Sequence, residues 1–347
     1  MNLMLHREAE LIGAAWVKNR LRQRLAALSA FPQGRFAGTQ SNRAAREYIL
    51  EQFRGAELEN VRSEPFRFFG WKRGPVRLST ADGKRAFRAI GLPGTPPVRN
   101  ATAEVVDLGS GSLAAFEKNS ARLKGRFALV SSRPIEGNRD LHRNEKFCRA
   151  GAAGAAGFLY HRHLEGFLEE TGSVGWDRKG VRGAIPAVAL SLEEGEAIRR
   201  LAEGDPALKL SLSIECESGE MDGGNPVGEI PGKDANAGWI VVGGHFDGHD
   251  ICEAAVDNGT GIALVMELAD LFAPLKGKLA TGIRFMGFDA EELGLIGSKA
   301  YADGLARENR IDEIRAVLNL DTPCGGTGQT WYLNGHSELA PLAKLVA

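Results

Sequence analysis

Four short stretches in the second half of this chain each end an apolar run on acidic or imidazole groups, and that repetition constrains the fold most. They read Trp239-Ile-Val-Val-Gly-Gly-His245-Phe-Asp247, Ala255-Val-Asp257-Asn-Gly-Thr-Gly261, Phe285-Met-Gly-Phe-Asp-Ala-Glu291-Glu292 and Val317-Leu-Asn-Leu-Asp321. Borderline divalent metals take imidazole and carboxylate ligands, and hydrolysis at such a metal needs one further carboxylate to move protons. One imidazole, several carboxylates and a tandem Glu pair fit a two-metal hydrolytic centre better than a structural role.

The spacing between these stretches predicts the architecture. Residues 239–242, 283–288 and 317–320 read as strands. Residues 262–272 carry apolar groups on one helical face, residues 294–305 can hold a helix, and residues 337–346 begin another. Such alternation implies an α/β fold: a mostly parallel mixed sheet with helices on both faces and functional groups beyond the carboxyl ends of its strands.

The first half has a different texture. Residues 1–70 read as helical, with apolar positions at helical spacing through Leu21, Leu25 and Leu28, then Ala44, Ala45, Tyr48, Ile49 and Phe53, and with Ser41 or Asn42 as a helix cap; residues 1–71 form the N-terminal part of the domain that the second half completes. Residues 72–220 alternate short β-rich runs with Gly/Pro loops, as expected of an inserted β-rich domain. The Gly-rich run from Phe147 to Gly157 follows a helix-like segment and not a strand, so it is no dinucleotide fingerprint. Its small residues suit a helix packed closely on a sheet. His161 and His163 look like surface groups. Residues 221–238, polar and turn-rich, read as a return linker into the metal-binding core, which spans 221–347.

Composition narrows the classes. The chain has 347 residues, 25% of them charged, and a formal net charge of −1, so no basic footprint points to nucleic acid. Nothing approaches the roughly 18 consecutive apolar residues of a membrane span. The charged start offers no signal peptide, which places the chain as it stands in the cytoplasm, with secretion the alternative if a leader has been removed. The four cysteines show no metal or disulfide spacing and read as buried small hydrophobes, although Cys252 and Cys324 lie close in sequence to candidate ligands.

His245 is the candidate imidazole ligand, and Asp247, two residues on, is placed to orient it. His249 completes a His-x-x-x-His spacing, but Gly248 and the loop context argue against the helix such a pair needs. Asp257 could simply cap the helix that follows; the neighbouring clusters raise it to a metal ligand. Glu291 and Glu292 must point differently in any extended or loop backbone, which suits one as ligand and the other as base. Asp321 ends an apolar strand, where a bare carboxylate is costly unless paired or metal-bound.

His-x-Asp, Asp-Asn-Gly-x-Gly, Asp-Ala-Glu-Glu-x-Gly-Leu-x-Gly-Ser298 and Asn-Leu-Asp321 together resemble the co-catalytic zinc aminopeptidase family, which includes bacterial leucyl aminopeptidases and glutamate carboxypeptidases. Gly34-Arg-Phe-Ala-Gly-Thr39 resembles its N-terminal lead-in. The Gly-Ala-Ala-Gly-Ala-Ala-Gly run and Ile185-Pro-Ala-Val-Ala-Leu-Ser191 resemble the protease-associated domain often inserted in it. The resemblance implies two Zn2+ ions, one bound by His245 and Asp321 and the other by Glu292, with Asp257 bridging. It implies Glu291 as the general base that takes the proton of a zinc-activated water, Asp247 as the partner of His245, and a cis Asp257–Asn258 peptide.

It also implies a further His ligand well downstream of Asp321. Only His336 follows, and it lies too near. The expectation is therefore that the last part of the sheet lies beyond Ala347 and that the second zinc site is weak. The implied activity is that of a metallo-aminopeptidase acting on peptides. A carboxypeptidase or dipeptidase on the same scaffold, or a non-catalytic receptor-like member, are the alternatives; oligomeric state stays open.

Overall fold

The computed structural model describes residues 2–135, 139–177, 179–324, 330, 332–334, 336–341 and 344. In chain order, the first half carries α1 (Asn2–Lys18), α2 (Leu21–Ser29), α3 (Gln40–Gly55), β1 (Glu59–Thr80), β2 (Ala86–Phe87), β3 (Ile90–Gly91), β4 (Val98–Asp107), α4 (Leu113–Leu123), β5 (Phe127–Ser131), α5 (Arg143–Ala152) and β6 (Gly157–His161). There follow β7 (Ala187–Leu190), α6 (Leu192–Gly204), β8 (Lys209–Ile230), β9 (Trp239–His245), α7 (Thr260–Phe272), β10 (Gly282–Phe288), α8 (Ile296–Arg307) and β11 (Ile314–Asn319). Among the described residues, no helix is long and apolar enough to cross a membrane.

A single sheet path runs β11-β9-β10-β8-β4-β5-β6-β7-β3, with β1 paired to β8 beside it. The antiparallel ribbon of β1 and β8, each 22 residues long, is its spine: Glu59 pairs with Glu229 at one end and Thr80 with Leu210 at the other. One end of β8 pairs with β10, and the other end with β4. The ribbon thus belongs to both halves of the molecule. The boundaries read near 71 and 220 fall inside its strands, where no linker separates the halves.

Three expectations differ from the structure. Residues 59–70 form strand and not helix, because Arg62-Ser-Glu-Pro-Phe66-Arg-Phe68 alternates with period two and finds its partner 160 or so residues away in sequence, which local periodicity cannot register. Residues 221–230 are the end of β8, not a linker; their turn-forming composition reflects close packing, since a Cβ at Gly223 would lie 2.5 Å from the Phe66 ring. Thr39, not Ser41 or Asn42, caps α3, its hydroxyl accepting from the Asn42 N–H.

The second half follows the expected pattern. β10 and β11 both run parallel to the central β9. Side chains alternate between two cores: Ile283 and Phe285 pack with Ile49, Phe53, Ile262 and Met266 beneath α3 and α7, while Met286 and Phe288 pack on the opposite face with Val227, Val241 and Tyr301 of α8. The buried Arg24 of α2 forms an ion pair with Glu267 at 2.7 Å and another with Asp270, fixing α2 across α7. In the insertion, α4 and α5 cover one face of β4–β7 through Phe116, Leu123, Phe147 and Ala150, and α6 covers the other through Ala197 and Ile198. The Gly-rich run serves as expected: α5 lies on β6, and a Cβ at Gly157 would meet the Phe127 ring at 2.9 Å.

His161 is buried, contrary to its reading as a surface group; Gly195 of α6 packs directly on its ring, and its Nδ1 lies 2.9 Å from the Arg162 carbonyl. His163 is half-buried, with Nδ1 2.7 Å from the Ser132 hydroxyl. The cysteines are free, as spacing implied, but they are not core residues: Cys148, Cys252 and Cys324 are exposed and Cys216 is half-buried. The last residues of the helix expected over 337–346 lie outside the described residues.

Phe285 is fully buried at the centre of the larger core. Phe285→Ala should lower unfolding stability by about 3–5 kcal/mol in urea titrations, whereas Ile311→Ala, at a residue 54% exposed, should change it by less than about 0.5 kcal/mol.

Candidate metal centre

His245 is the last residue of β9, with its ring enclosed. The parallel register sets Phe288 of β10 beside His245 and Asn319 of β11 beside Gly243, so the chain leaves all three strands along one edge. Asp321 follows β11, and Asp257 comes from the loop between β9 and α7. Nε2 of His245 lies 3.0 Å from Asp257 Oδ1 and 3.6 Å from Asp321 Oδ1. Ligand atoms of these three residues all lie within 4.8 Å of one another, the one such group of metal-ligating side chains found among the described residues.

This set fits a zinc-like ion. Oxygen and nitrogen atoms sharing a tetrahedral zinc at about 2.0–2.2 Å stand roughly 3.3 Å apart, close to the spacing here. Asp257 and Asp321 keep side-chain exposures of 59% and 43%, so the His245 side is closed and the carboxylate side is open to solvent and substrate. Burial pulls the His245 ring toward its neutral form, but contacts with Asp247, Asp257 and Asp321 outweigh this and hold its pKa well above the ordinary value. The contact with His245 in turn lowers the Asp257 carboxyl, against the opposing effect of burial. The field that favours a proton between these groups favours a divalent cation in its place.

Asp247 links the first and third motifs. Its carboxylate accepts the backbone N–H groups of Glu291 at 3.0 Å and Glu292 at 3.2 Å. Its carbonyl lies 3.0 Å from His245 Nδ1, nearer than its carboxylate at 3.6 Å. A carbonyl can only accept, so Nδ1 carries a hydrogen, and Nε2 is the nitrogen that a metal ion would take in place of a proton. The two glutamates then diverge. Glu292 Oε2 lies 2.8 Å from His249 Nε2. The Glu291 carboxyl is pushed up to about 8, first by burial, with Asp247, Glu292 and Asp321 adding to the shift and His245 opposing it.

Three buried polar residues hold this arrangement and were not singled out as functional from sequence. Asn258 donates to the carbonyls of Leu320 at 2.8 Å and His245 at 3.3 Å, and accepts from Gly261 N at 3.0 Å and Thr322 N at 3.1 Å. Arg35 donates to the carbonyls of Leu28, Phe246, Glu253 and Ala254. Asp289 accepts from Asn42, Gly224 and Ala290, and burial followed by the neighbouring Asp247 raises its pKa. Each lies inside a quoted motif, which was the available signal; what each one binds depends on segments distant in sequence. The Asp257–Asn258 peptide is cis, as the resemblance implied.

Residues 225–345 match the model of peptidase family M28, and residues 101–198 match that of the PA domain. These two segments of the chain are similar to an M28 peptidase and to a PA domain. It is 28% identical to aminopeptidase YwaD of Bacillus subtilis over 297 residues, which is 86% of this chain and 59% of that protein. It is also 28% identical to carboxypeptidase Q of Bos taurus over 292 residues, 82% of this chain and 61% of the relative. A solved zinc aminopeptidase of B. subtilis superposes with a TM-score of 0.68 at 26% identity, over 87% of this chain and 68% of that one. The chain thus spans about three fifths of the length of these curated relatives. The PA domain bears on the M28 segment directly: a Cβ at Gly294, just past the glutamate pair, would lie 2.9 Å from Trp176 Cβ.

Asn258 ties the ends of β9 and β11 to the start of α7 without touching the open side. Asn258→Ala should weaken zinc binding by about 10–100-fold in chelator competition while leaving the far-UV circular dichroism unchanged.

Proposed function

We propose that this chain belongs to a zinc-dependent exopeptidase that releases N-terminal residues from peptides. The observation that carries the reading is the convergence of His245, Asp257 and Asp321 at the carboxyl ends of parallel strands, with Glu291 and Glu292 held beside them by Asp247. In this reading His245, Asp257 and Asp321 would hold one zinc, and Glu292 with Asp257 would hold a second. Bound zinc supplies Lewis-acid polarisation of the scissile carbonyl and acidifies the attacking water, to a pKa of about 7.

The chain's own groups do the rest. Glu291, with its carboxylate less solvated than usual, takes the proton from the attacking water and returns it to the departing amine nitrogen. Asp247 keeps the two glutamates divergent, so that one can bind metal while the other moves protons. Trp176, in the insertion, packs against Gly294 just past the glutamate pair, and in this reading the insertion shapes access without supplying a ligand. A carboxypeptidase or dipeptidase on the same scaffold is the second reading, favoured by the equal identity to carboxypeptidase Q. A receptor-like role would leave the divergent Glu291–Glu292 pair without a task.

Substrates decide between the two peptidase readings. Aminoacyl substrates with a free amine should be cleaved and their N-blocked forms resist; the reverse result selects the carboxypeptidase. Glu291→Gln should lower turnover by about 10²–10⁴-fold with zinc content near that of the parent, measured by elemental analysis. Loss of metal in that variant would exchange the roles of Glu291 and Glu292.

A further inference from the structure

A chain of polar contacts runs from the β1–β8 ribbon to the glutamate pair, and no step of the proposed hydrolysis uses it. It starts at a defect in the ribbon. Arg73 of β1 faces Cys216 of β8 and Val76 faces Ile214, so β1 carries one residue more than its partner between these pairs. The extra residue falls at Gly74-Pro75, where Pro has no amide to donate and a Cβ on Gly74 would clash with the Glu215 carbonyl. Such a bulge bends its strand and re-aims the side chain beside it.

Arg73 reaches the loop between His245 and Asp257. Its guanidinium donates twice to the Asp250 carboxylate, Nε to Oδ2 at 2.8 Å and Nη2 to Oδ1 at 2.6 Å, and the two side chains are only 14% and 13% exposed. The Gly91 carbonyl accepts from Arg73 as well, and the Trp71 ring lies 5.1 Å from its guanidinium carbon. A planar fork on a planar carboxylate sets direction as well as distance. Arg35 holds the same loop further on, through the carbonyls of Glu253 and Ala254, so Arg73 anchors its middle. His249, the residue before Asp250, is enclosed: Gly34 packs under its carbonyl, and the Phe36 ring lies 6.2 Å from its own, centroid to centroid. Its Nε2 lies 2.8 Å from Glu292 Oε2. An ionised carboxylate only accepts, so this nitrogen carries the hydrogen and orients Glu292 as a donor.

We propose that Arg73 is a positioning residue of the metal centre: through Asp250 it holds His249 against Glu292, and His249 fixes the direction of that carboxylate. The assignment rests on the zinc reading above, with Glu292 as a ligand and His249 as its hydrogen-bond partner. Carboxylate ligands depend on such partners, whose loss typically weakens metal binding or activity by about 10–100-fold. A residue of the strand that leads into the insertion thereby sets the geometry of a site formed at the far ends of β9 and β10.

Zinc titration against a chromophoric chelator, with hydrogen exchange of the metal-free protein as a second readout, tests this without any assay of turnover. His249→Ala should weaken the zinc step that needs Glu292 by about 10–100-fold, whereas His249→Gln, which keeps an N–H donor, should stay near the parent. Arg73→Gln and Asp250→Asn should each weaken that step by about tenfold, and the double variant by no more than either alone. In the His249→Ala background, Arg73→Gln should add nothing. Amides of residues 248–254 should exchange faster in Arg73→Gln, with those of β5 and β6 unchanged. Circular dichroism confirms that each variant is folded. Additive losses, or a loss in Arg73→Gln that persists in the His249→Ala background, would overturn the proposal and make Arg73 a structural residue. Equal losses in His249→Ala and His249→Gln would overturn the hydrogen-bond assignment. A single zinc step that none of these variants changes would overturn it too, while sparing the site at His245. A parent that binds no zinc would overturn the zinc reading itself, and this assignment with it.

Discussion

Side-chain amides and carboxylates that bind backbone, and not one another, allow this site to exist. Five carboxylates crowd one edge of the sheet around the His245 imidazole, and the carboxylates repel one another. Asn258 joins the carbonyls ending β9 and following β11 to the amides opening α7 and following Asp321, so the three ligand-bearing segments cannot drift apart separately. Asp247 does the same between the β9 loop and the glutamate pair. The contacts to the His245 carbonyl and the Gly261 amide satisfy buried backbone groups, whose loss would cost roughly 1–3 kcal/mol each, so positioning these side chains and folding the loops are one process.

The insertion is tied into the same arrangement. Because β1 and β8 run through both halves, the PA domain is not hung on a flexible tether. Arg73 reaches from the ribbon to Asp250, the guanidinium of Arg182 lies 4.0 Å from the Phe69 ring, and Trp176 packs on Gly294. Trp176 and Arg73 therefore tie the insertion to the turn after the glutamate pair and to the loop that carries Asp250.

Much of this was legible in the sequence wherever local pattern and chemistry coincide. The strands ending at His245 and Phe288 and the helix from Thr260 follow from apolar runs closed by polar groups, and the ligand candidates are the residues those runs deliver. What escaped depends on distant partners. Residues 59–70 became strand only through pairing with the end of β8. His161 looked exposed because nothing local reveals that α6 covers it. His249 was set aside on loop geometry, which says nothing about Gly34 and Arg73 turning it inward. Asp289 and Arg35 sit inside recognisable motifs, yet their work is to bind backbone from other segments.

The account stands or falls on where a metal binds. Zinc-edge anomalous diffraction from crystals of the zinc-loaded protein reads this directly. The expected result is a strong peak about 2.0–2.2 Å from His245 Nε2 and from one oxygen each of Asp257 and Asp321. A protein whose zinc sits elsewhere, with those three side chains paired only to one another, would contradict it.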